Sequence, residues 1–423
     1  LDHSPNVPLE QVLRLRDLES LYFEGCGLDS VVPITRLPAL RALSLHCNGL
    51  TNIRGLSKLT GLEELELHHN YLIDISPLAD LSQLRSLILI GNEFSDIGPL
   101  AGLAMLQELR LTENQVSDVG PLAGLTELQE LHLGGNDITD VKPLSNLANL
   151  QNLDMRWNRI ADIQPLRNLS ALKTLDVHLN FVHDVSALSG VANLQSLDLY
   201  GNCIADITPL AGLTNLRFLS LGKNEIRDVG ALSNMVNLEE LRLARNHIKD
   251  CASLAKLTQL QKLVLAENEI GNISSMSNLT KLTSLNLEGN RVTDVSPLGH
   301  LKNLLTLCLS SNLISDITPL SGLASLEWLA LGDNYIDNIA PLRSMNGLAV
   351  LMLPRNLITD CAPLMDINLR RLVLGSGPMD APYPKAITEA LAERGVHVGF
   401  TDDCREMLQE DYEEQIHRTL FGE

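Results

Sequence analysis

Leucines and other aliphatic residues recur along this chain with a period of 22 residues. The stretch 128–149, LQELHLGGNDITDVKPLSNLAN, shows the unit. Around Leu131 and Leu133 apolar and polar residues alternate, which predicts a short strand with its leucines inward and the residues between them outward. The second half, from Asp140 to Leu144, is too short for a long helix and predicts a single 3₁₀ or α turn.

An asparagine follows the predicted strand in every unit. Counting in steps of 22 gives 15 asparagines with no insertion or deletion: Asn48, Asn70, Asn92, Asn114, Asn136, Asn158, Asn180, Asn202, Asn224, Asn246, Asn268, Asn290, Asn312, Asn334 and Asn356. The amide has two donor hydrogens and an acceptor, so we expect it to satisfy backbone groups where the chain turns inward. The unbroken period predicts one elongated repeat domain instead of the two or three domains that the length alone suggests.

The turn half of the unit has its own pattern. The position of Asp140 holds Asp in 12 units and Asn in three, and we expect this side chain to accept backbone N–H bonds at the start of the turn. The proline of the turn, Pro143 in this unit, has no N–H and needs no such partner. It is absent at Ala187, Ala231, Ser253 and Ser275, so we expect looser turns across residues 185–278.

The pattern L-x-x-L-x-L-x-x-N/C-x-L is the leucine-rich-repeat signature. The period, with IDISPL at 73–78 and related segments at 204–216 and 314–326, resembles the internalin-type repeats of bacteria over roughly residues 18–374. The repeats are also similar to those of the protein phosphatase 1 regulatory subunit. This resemblance implies an α/β solenoid, a curved leucine-rich-repeat horseshoe with a concave parallel β-sheet and short 3₁₀ or helical convex turns.

The organisation expected from the sequence has four parts. Residues 1–17 form an N-terminal cap or partial repeat, 18–377 the solenoid of about 17 coils, and 378–400 a helix–strand cap. Residues 401–423 form an amphipathic helical tail with Leu408, Tyr412, Ile416 and Leu420 at a spacing of four. The tail either folds back over the cap, or binds a partner or leads into a further domain.

Charge and cysteine content limit which kinds of partner and which cellular location we expect. A net charge of −20 argues against nucleic acid and anionic membranes. No 18-residue apolar run occurs, so we expect no membrane insertion, and we expect a monomer. The seven cysteines lack a disulfide framework, which favours a reducing, cytoplasmic location, with a secreted or cell-surface location as the alternative. Cys251 and Cys361 fall at apolar positions and are expected to be buried.

No catalytic signature is present. The chain lacks GxSxG, P-loop, HExxH and CxxC motifs, so we expect neither enzymatic activity nor a cofactor. His46 and His68 share one outward position on adjacent coils, with Glu66 and His69 close by. We interpret them as ordinary surface or partner contacts and expect no metal site, although a transition-metal site is the alternative.

The outward strand positions are the free ones, and they carry the candidate site. Asp154, Asp176 and Asp198 stand in register there, where like charges repel and the fold gains nothing obvious from them. Exposed aromatic and arginine side chains are typical of binding hot spots. The predicted partner-binding residues are Arg110, His132, Asp154, Arg156, Trp157, Arg159, Asp176, His178, Phe181, Asp198, Tyr200 and Phe218, with Trp328 and Tyr335 as a second group. The alternative is that Arg156 and Arg159 only neutralise the aspartates while Trp157 packs on Phe181.

These observations favour a protein–protein interaction module that binds a protein partner on its concave face. The alternatives are the recognition domain of a larger enzyme or effector whose catalytic segment is absent, and a structural surface protein. Replacing Asp154, Asp176 and Asp198 by serine is expected to stabilise the fold slightly and to abolish partner binding.

Overall fold

Each coil begins with a three-residue strand centred on an inward leucine, as the alternation predicts. The computed structural model describes residues 13–28, 30–375 and 385–399. The chain divides into two units, Leu1–Ser220 and Leu221–Glu423. Within each unit the strands pair in parallel, so that Leu131 lies opposite Leu153 in the first unit and Leu263 opposite Leu285 in the second. Both units therefore have the predicted solenoid architecture.

The strands have the same length throughout the described residues. In the first unit they are β1 Ser20–Tyr22, β2 Ala42–Ser44, β3 Glu64–Glu66, β4 Ser86–Ile88, β5 Glu108–Arg110, β6 Glu130–His132, β7 Asn152–Asp154, β8 Thr174–Asp176, β9 Ser196–Asp198 and β10 Phe218–Ser220. In the second unit they are β11 Glu240–Arg242, β12 Lys262–Val264, β13 Ser284–Asn286, β14 Thr306–Cys308, β15 Trp328–Ala330, β16 Val350–Met352, β17 Arg371–Val373 and β18 His397–Gly399.

The second half of each coil is a short 3₁₀ helix. In the first unit these helices are Val32–Arg36, Arg54–Lys58, Ser76–Leu78, Gly98–Leu100, Gly120–Gly124, Lys142–Asn146, Gln164–Asn168, Ser186–Gly190 and Thr208–Gly212. In the second unit they are Gly230–Asn234, Ala252–Lys256, Ser274–Asn278, Ser296–His300, Thr318–Gly322, Ala340–Ser344 and Ala362–Asp366, followed by the α-helix α1, Lys385–Glu393.

The aspartate of each turn binds the backbone as predicted. Asp140 Oδ1 accepts the Lys142 N–H at 2.8 Å, two residues further on. The asparagines that replace it, such as Asn272, make the same bond. Because the side chain satisfies an N–H at the start of the 3₁₀ helix, much of the chain's acidity serves the fold.

The core is a column of aliphatic side chains. In the coil of β6, Leu131, Leu133, Ile138 and Leu144 are all fully buried. Burial of one such side chain is worth about 1.5–3 kcal/mol, but only when a neighbouring coil covers it. Phe94 is the one aromatic residue among the largest fully buried side chains, at a position where other coils carry smaller aliphatics.

The asparagine amide links each coil to the one before it. Asn136 Nδ2 lies 3.0 Å from both the Leu111 and the Leu133 carbonyl oxygens, and its Oδ1 accepts the Val116 N–H at 2.9 Å. The side chain is only 8% exposed, so these bonds form away from water. One amide thereby satisfies buried backbone groups on two coils, which is the role predicted from its donors and acceptor.

The C-terminal coils depart from the strict period. Met352 pairs with Val373, 21 residues on, in agreement with a one-residue slip near position 365. Strand β18 then pairs in parallel with β17, and α1 packs beside it. The helix and strand predicted for the cap at 378–400 are α1 and β18. Most of the predicted N-terminal cap, residues 376–384 and the whole predicted tail 401–423 lie outside the described residues.

The structure also tests the expectations about the cysteines and about membrane-spanning segments. Cys251 and Cys361 are buried as expected, and burial raises the pKa of both thiols. Six cysteines fall in the described part of the chain, and no disulfide joins any two of them. Among these described residues, no helix combines the length and the apolar character that crossing a membrane requires.

We predict that Asn136→Ala lowers the free energy of unfolding by about 3 kcal/mol, because it leaves buried carbonyl and N–H groups without partners. Asn114→Ala is the matched control: Asn114 Oδ1 has no hydrogen-bond partner, so one bond fewer is lost. Urea unfolding of the two variants measures the difference. An equal or larger loss for Asn114→Ala would contradict this account.

We also predict that the four turns with Ala187, Ala231, Ser253 and Ser275 in place of proline exchange their amide hydrogens faster than turns with proline, because their unfolded backbone is less restricted. All four form 3₁₀ helices of the same length as the proline-bearing Gly120–Gly124. Hydrogen exchange followed by mass spectrometry can compare Ala252–Lys256 with Ser296–His300. Uniform protection across these turns would refute the prediction.

Candidate functional site

The first predicted group of site residues lies entirely in the first unit, on the outward side of strands β5 to β10 and in the bends that follow them. We call this area the central surface; its members are Arg110, His132, Asp154, Arg156, Trp157, Arg159, Asp176, His178, Phe181, Asp198, Tyr200 and Phe218. Strand pairing places Arg110, His132, Asp154, Asp176 and Asp198 in one row. Adjacent members of such a row are about 4.8 Å apart along the sheet.

Asp154 is held by basic side chains on both sides. Its Oδ2 lies 3.4 Å from Arg156 Nε and 3.6 Å from His132 Nδ1, and its Oδ1 accepts the Arg156 backbone N–H. The side chain is only 13% exposed. Burial by itself would raise the pKa of Asp154, but the hydrogen bonds from His132 and Arg156 and the Arg156 charge outweigh burial and lower it.

Asp176, His178 and Trp157 form a hydrogen-bonded chain across two coils. His178 Nδ1 lies 2.8 Å from Asp176 Oδ1, and the Trp157 indole N–H donates to His178 Nε2 at 2.9 Å. Burial would lower the pKa of His178, but the Asp176 bond and the charges of Asp176 and Asp198 raise it. The indole bond needs a lone pair on Nε2, so protonation of His178 releases Trp157.

Asp198 is the least compensated carboxylate of the row. Its Oδ1 accepts the Tyr200 N–H at 2.9 Å. Burial, and then repulsion from Asp176, raise its pKa although the Tyr200 bond and the His178 charge lower it. The folded protein therefore disfavours the negative charge that Asp198 carries at neutral pH.

The expectation that the fold gains nothing from the three aspartates is wrong. Each accepts the backbone N–H of the residue two positions on, in the bend that ends the strand. Asn286 makes the same bond to Glu288 in the second unit. Asp198 and Asp154 also differ electrostatically, since the pKa of Asp198 is raised and that of Asp154 is lowered.

The arginines of the central surface are paired within the chain. Arg110 Nε lies 2.6 Å from Glu108 Oε1, and Arg159 Nη2 lies 2.7 Å from Asp137 Oδ1. The alternative that Arg156 and Arg159 both neutralise the aspartate row is thus correct for Arg156 only. The sequence could not indicate the Arg159 pairing, because it depends on a side-chain direction.

The aromatic residues differ in exposure. Trp157 is 61% exposed and Phe181 is 57% exposed, whereas Tyr200 and Phe218 are partly buried. The Trp157 indole is oriented by His178. The central surface therefore presents two exposed aromatic side chains next to a row of carboxylates.

The backbone at Trp157 is left-handed, with φ of 55°. The residue before the ladder asparagine has a positive φ in every coil, and four coils use glycine there: Gly91, Gly135, Gly201 and Gly289. A non-glycine residue in this region costs about 1–2 kcal/mol. The fold would accept glycine at position 157, so local backbone geometry does not explain a tryptophan there.

The second predicted group lies in the second unit. Tyr335 is 55% exposed. Trp328 is partly buried and packs against a buried cluster on strands β14 to β17, made of Cys308, Ala330, Met352 and Val373. Because Trp328 contributes to this packing, its presence has a structural explanation that Trp157 lacks.

A third group lies at the N-terminal coils of the first unit, where the sequence pointed to His46, Glu66, His68 and His69. The structure adds Ser44 to it, because Ser44 Oγ lies within hydrogen-bond distance of His46 Nδ1 and Glu66 Oε2. Burial, followed by the nearby His46, lowers the pKa of His68. Ser44 was missed in the sequence, although it lies 22 residues before Glu66 in the same outward position.

Comparisons with known proteins agree with this architecture. The family model for leucine-rich repeats matches residues 104–146, 192–234, 236–279 and 280–322. An internalin (InlF) from Listeria monocytogenes is similar at 35% identity, over 75% of this chain and 87% of that chain, with a TM-score of 0.63. A search of curated protein sequences gave no match.

Two further solved structures extend the comparison. A leucine-rich-repeat protein of Leptospira interrogans, LIC12759, is 25% identical over 95% of both chains, with a TM-score of 0.60. The functional domain of InlJ from Listeria monocytogenes has the same fold at 22% identity, covering 81% of this chain and 76% of that chain, with a TM-score of 0.71.

We predict opposite stability effects for two matched substitutions at neutral pH. Asp154→Asn should destabilise the protein by about 1 kcal/mol, because a charge held by Arg156 and His132 is lost. Asp198→Asn should stabilise it by up to about 1 kcal/mol, because it removes a charge that burial and repulsion from Asp176 disfavour. Urea unfolding at pH 7 measures both.

The pH dependence follows from the direction of each shift. The contribution of ionised Asp154 to the free energy of unfolding is fully present above its unfolded pKa of 3.8. It is lost as the pH falls through the lower pKa that Asp154 has in the folded protein. The gain in free energy of unfolding from Asp198→Asn appears only as the pH rises above 3.8 towards the raised pKa that Asp198 has in the folded protein. Below that range Asp198 is protonated, so it is not repelled by Asp176. Effects of the same sign for both variants at pH 7 would contradict the assignment.

Proposed function

This chain belongs to the internalin-type leucine-rich-repeat proteins, and from that premise we propose that it binds a protein partner through the central surface of its first unit. The proposed role is non-catalytic recognition. The proposed binding face is the outward side of strands β5 to β10, which is the side expected to be concave. The observation that carries the proposal is Trp157, an exposed aromatic side chain whose indole is oriented by the neutral form of His178.

Trp157 has the properties of a binding anchor. It is 61% exposed, yet its indole N–H is bonded to His178 at 2.9 Å. An exposed side chain that is already oriented loses less conformational entropy when a partner covers it. Its left-handed backbone is shared by non-glycine residues at the same position of ten other coils, so the case for Trp157 rests on the exposure and orientation of its side chain.

Phe181 gives the surface a second apolar contact. It is 57% exposed and follows the ladder asparagine of the next coil. Aromatic side chains contribute a large part of binding energy at the centres of interfaces. Together, Trp157 and Phe181 suit a partner that carries an apolar side chain at the point of contact.

The carboxylates define the rest of the partner's chemistry. Asp198 is partly buried and repelled by Asp176, so a cation brought by a partner would relieve that repulsion. The arginines of the surface already have carboxylate partners and are less suited to bind an acidic protein. The expected partner therefore presents lysine or arginine beside an apolar residue.

The experiment compares proteins retained by immobilised wild-type chain with those retained by Trp157→Gly, followed by measurement of Kd for each purified candidate. Lys223→Gly is the matched control, because Lys223 occupies the same repeat position with φ of 53°. Loss of a hot-spot side chain weakens binding by about 2 kcal/mol or more, so we expect a Kd about 30-fold higher for Trp157→Gly. The control should bind like the wild type.

A second pair tests the apolar contact. Phe181→Ala should weaken binding, while Leu357→Ala, at the equivalent exposed position of the second unit, should not. A partner that binds Trp157→Gly and Phe181→Ala as tightly as the wild type would show that the central surface is the wrong site. Melting temperatures of all four variants verify that each is folded.

A further inference from the structure

A polar cluster separate from the central surface lies on the outward side of strands β1 to β3, in the first unit. Its side chains are Glu24, Ser44, His46, Glu66 and His68. Strand pairing sets Ser44 opposite Glu66, and the next outward position in each of three consecutive coils holds Glu24, His46 and His68. The repeat therefore brings two imidazoles and two carboxylates around one buried hydroxyl.

The two imidazole rings are stacked. Their centroids are 4.1 Å apart and the ring planes differ by 12°. One potential ligand atom from each of His46, Glu66 and His68 lies within 4.8 Å of the other two. A tetrahedral zinc site with bonds of about 2.0–2.2 Å needs ligand atoms about 3.4 Å apart. Because ring lone pairs lie in the ring planes, binding also requires the stacked rings to turn until their nitrogens converge on the ion.

The surrounding hydrogen bonds orient these groups. His46 Nε2 lies 2.7 Å from Glu24 Oε1, which directs its Nδ1 towards Ser44 Oγ at 2.8 Å. Ser44 Oγ also donates to Glu66 Oε2 at 2.9 Å. A carboxylate on the far nitrogen of a histidine is the arrangement that fixes ring orientation in metal sites.

One nitrogen of the cluster lacks a partner. His68 Nδ1 is buried and makes no hydrogen bond. If the Nε2 proton of His46 is donated to Glu24, then His46 Nδ1 and Glu66 Oε2 compete for the single Ser44 hydroxyl proton, and His68 Nδ1 receives none. A cation between His46, Glu66 and His68 would take one ligand atom from each side chain and would give His68 the metal partner that the hydrogen bonds of Ser44 do not supply.

We propose that His46, Glu66 and His68 bind one divalent transition-metal ion of the zinc class. Glu24 acts as a positioning residue on His46, and Ser44 orients His46 and Glu66. Two imidazoles and one carboxylate suit zinc and similar ions, whereas calcium prefers six to eight oxygen ligands. The proposal reverses the expectation, drawn from the sequence, that this chain holds no metal.

The aspartate row contains a second group with suitable atoms, namely Asp176, His178 and Asp198. Both ring nitrogens of His178 have partners there, Asp176 and the Trp157 indole, just as both ring nitrogens of His46 have partners in the N-terminal cluster. Asp176 and Asp198 each accept a backbone N–H as well. The N-terminal cluster is favoured because it contains the buried nitrogen without a partner.

The test is Zn²⁺ titration of the full chain by calorimetry after treatment with a chelator and removal of the chelator. We expect one ion bound per chain and a higher melting temperature in the presence of Zn²⁺. His46→Ala and His68→Ala should abolish both effects. Glu24→Gln should weaken the affinity about 10–100-fold, as loss of an orienting partner does.

Two control variants keep the assignment falsifiable. His300→Ala removes an exposed histidine of a 3₁₀ helix and should bind Zn²⁺ like the wild type. His178→Ala should also leave Zn²⁺ binding unchanged. Zinc binding that survives His46→Ala and His68→Ala but is lost in His178→Ala would overturn the proposal, as would the absence of zinc binding to the folded wild-type chain.

Discussion

The hydrogen bonds of the ladder asparagine are the interaction on which the rest of the structure depends. Leucines bury apolar surface without regard to direction, and a column of them could slide or rotate. The Asn136 amide instead connects specific backbone atoms, Leu111 O in the preceding coil and Leu133 O in its own, and it accepts from Val116. These bonds therefore fix each coil relative to the one before it, both along the stacking direction and in rotation about that direction. The rows of outward side chains inherit their register from this constraint.

That constraint separates the residues that hold the fold from the residues available for binding. The inward leucines, the asparagine and the turn aspartate are used in every coil, so they carry no information about a partner. Side chains between them are restricted only by their neighbours 22 residues away. In the first unit this freedom has produced two different polar surfaces on the same side of the sheet, one rich in aspartate and exposed aromatics and the other built around His46 and His68.

The architecture could be predicted from the sequence because it is determined by a period. The inward and outward sides, the 3₁₀ turns, the backbone bond of Asp140 and the register of Asp154, Asp176 and Asp198 all follow from it. The electrostatics of the site could not be predicted, since they depend on distances of a few tenths of an ångström. Arg159 pairs with Asp137 and not with the aspartate row, and the sequence placed His46 beside His68 without indicating that Ser44 bonds to His46.

The left-handed residue that precedes each ladder asparagine has a consequence for how such a chain can change over time. Its backbone angle is nearly the same whether the residue is Gly135, Trp157 or Lys223. A coil copied, deleted or exchanged as a whole therefore joins its new neighbours with the same geometry, whatever side chain it brings. Recombination between repeats in the coding DNA would keep the fold while reordering the outward residues. Such a scaffold can acquire a new specificity by shuffling existing coils, without waiting for new point mutations in each.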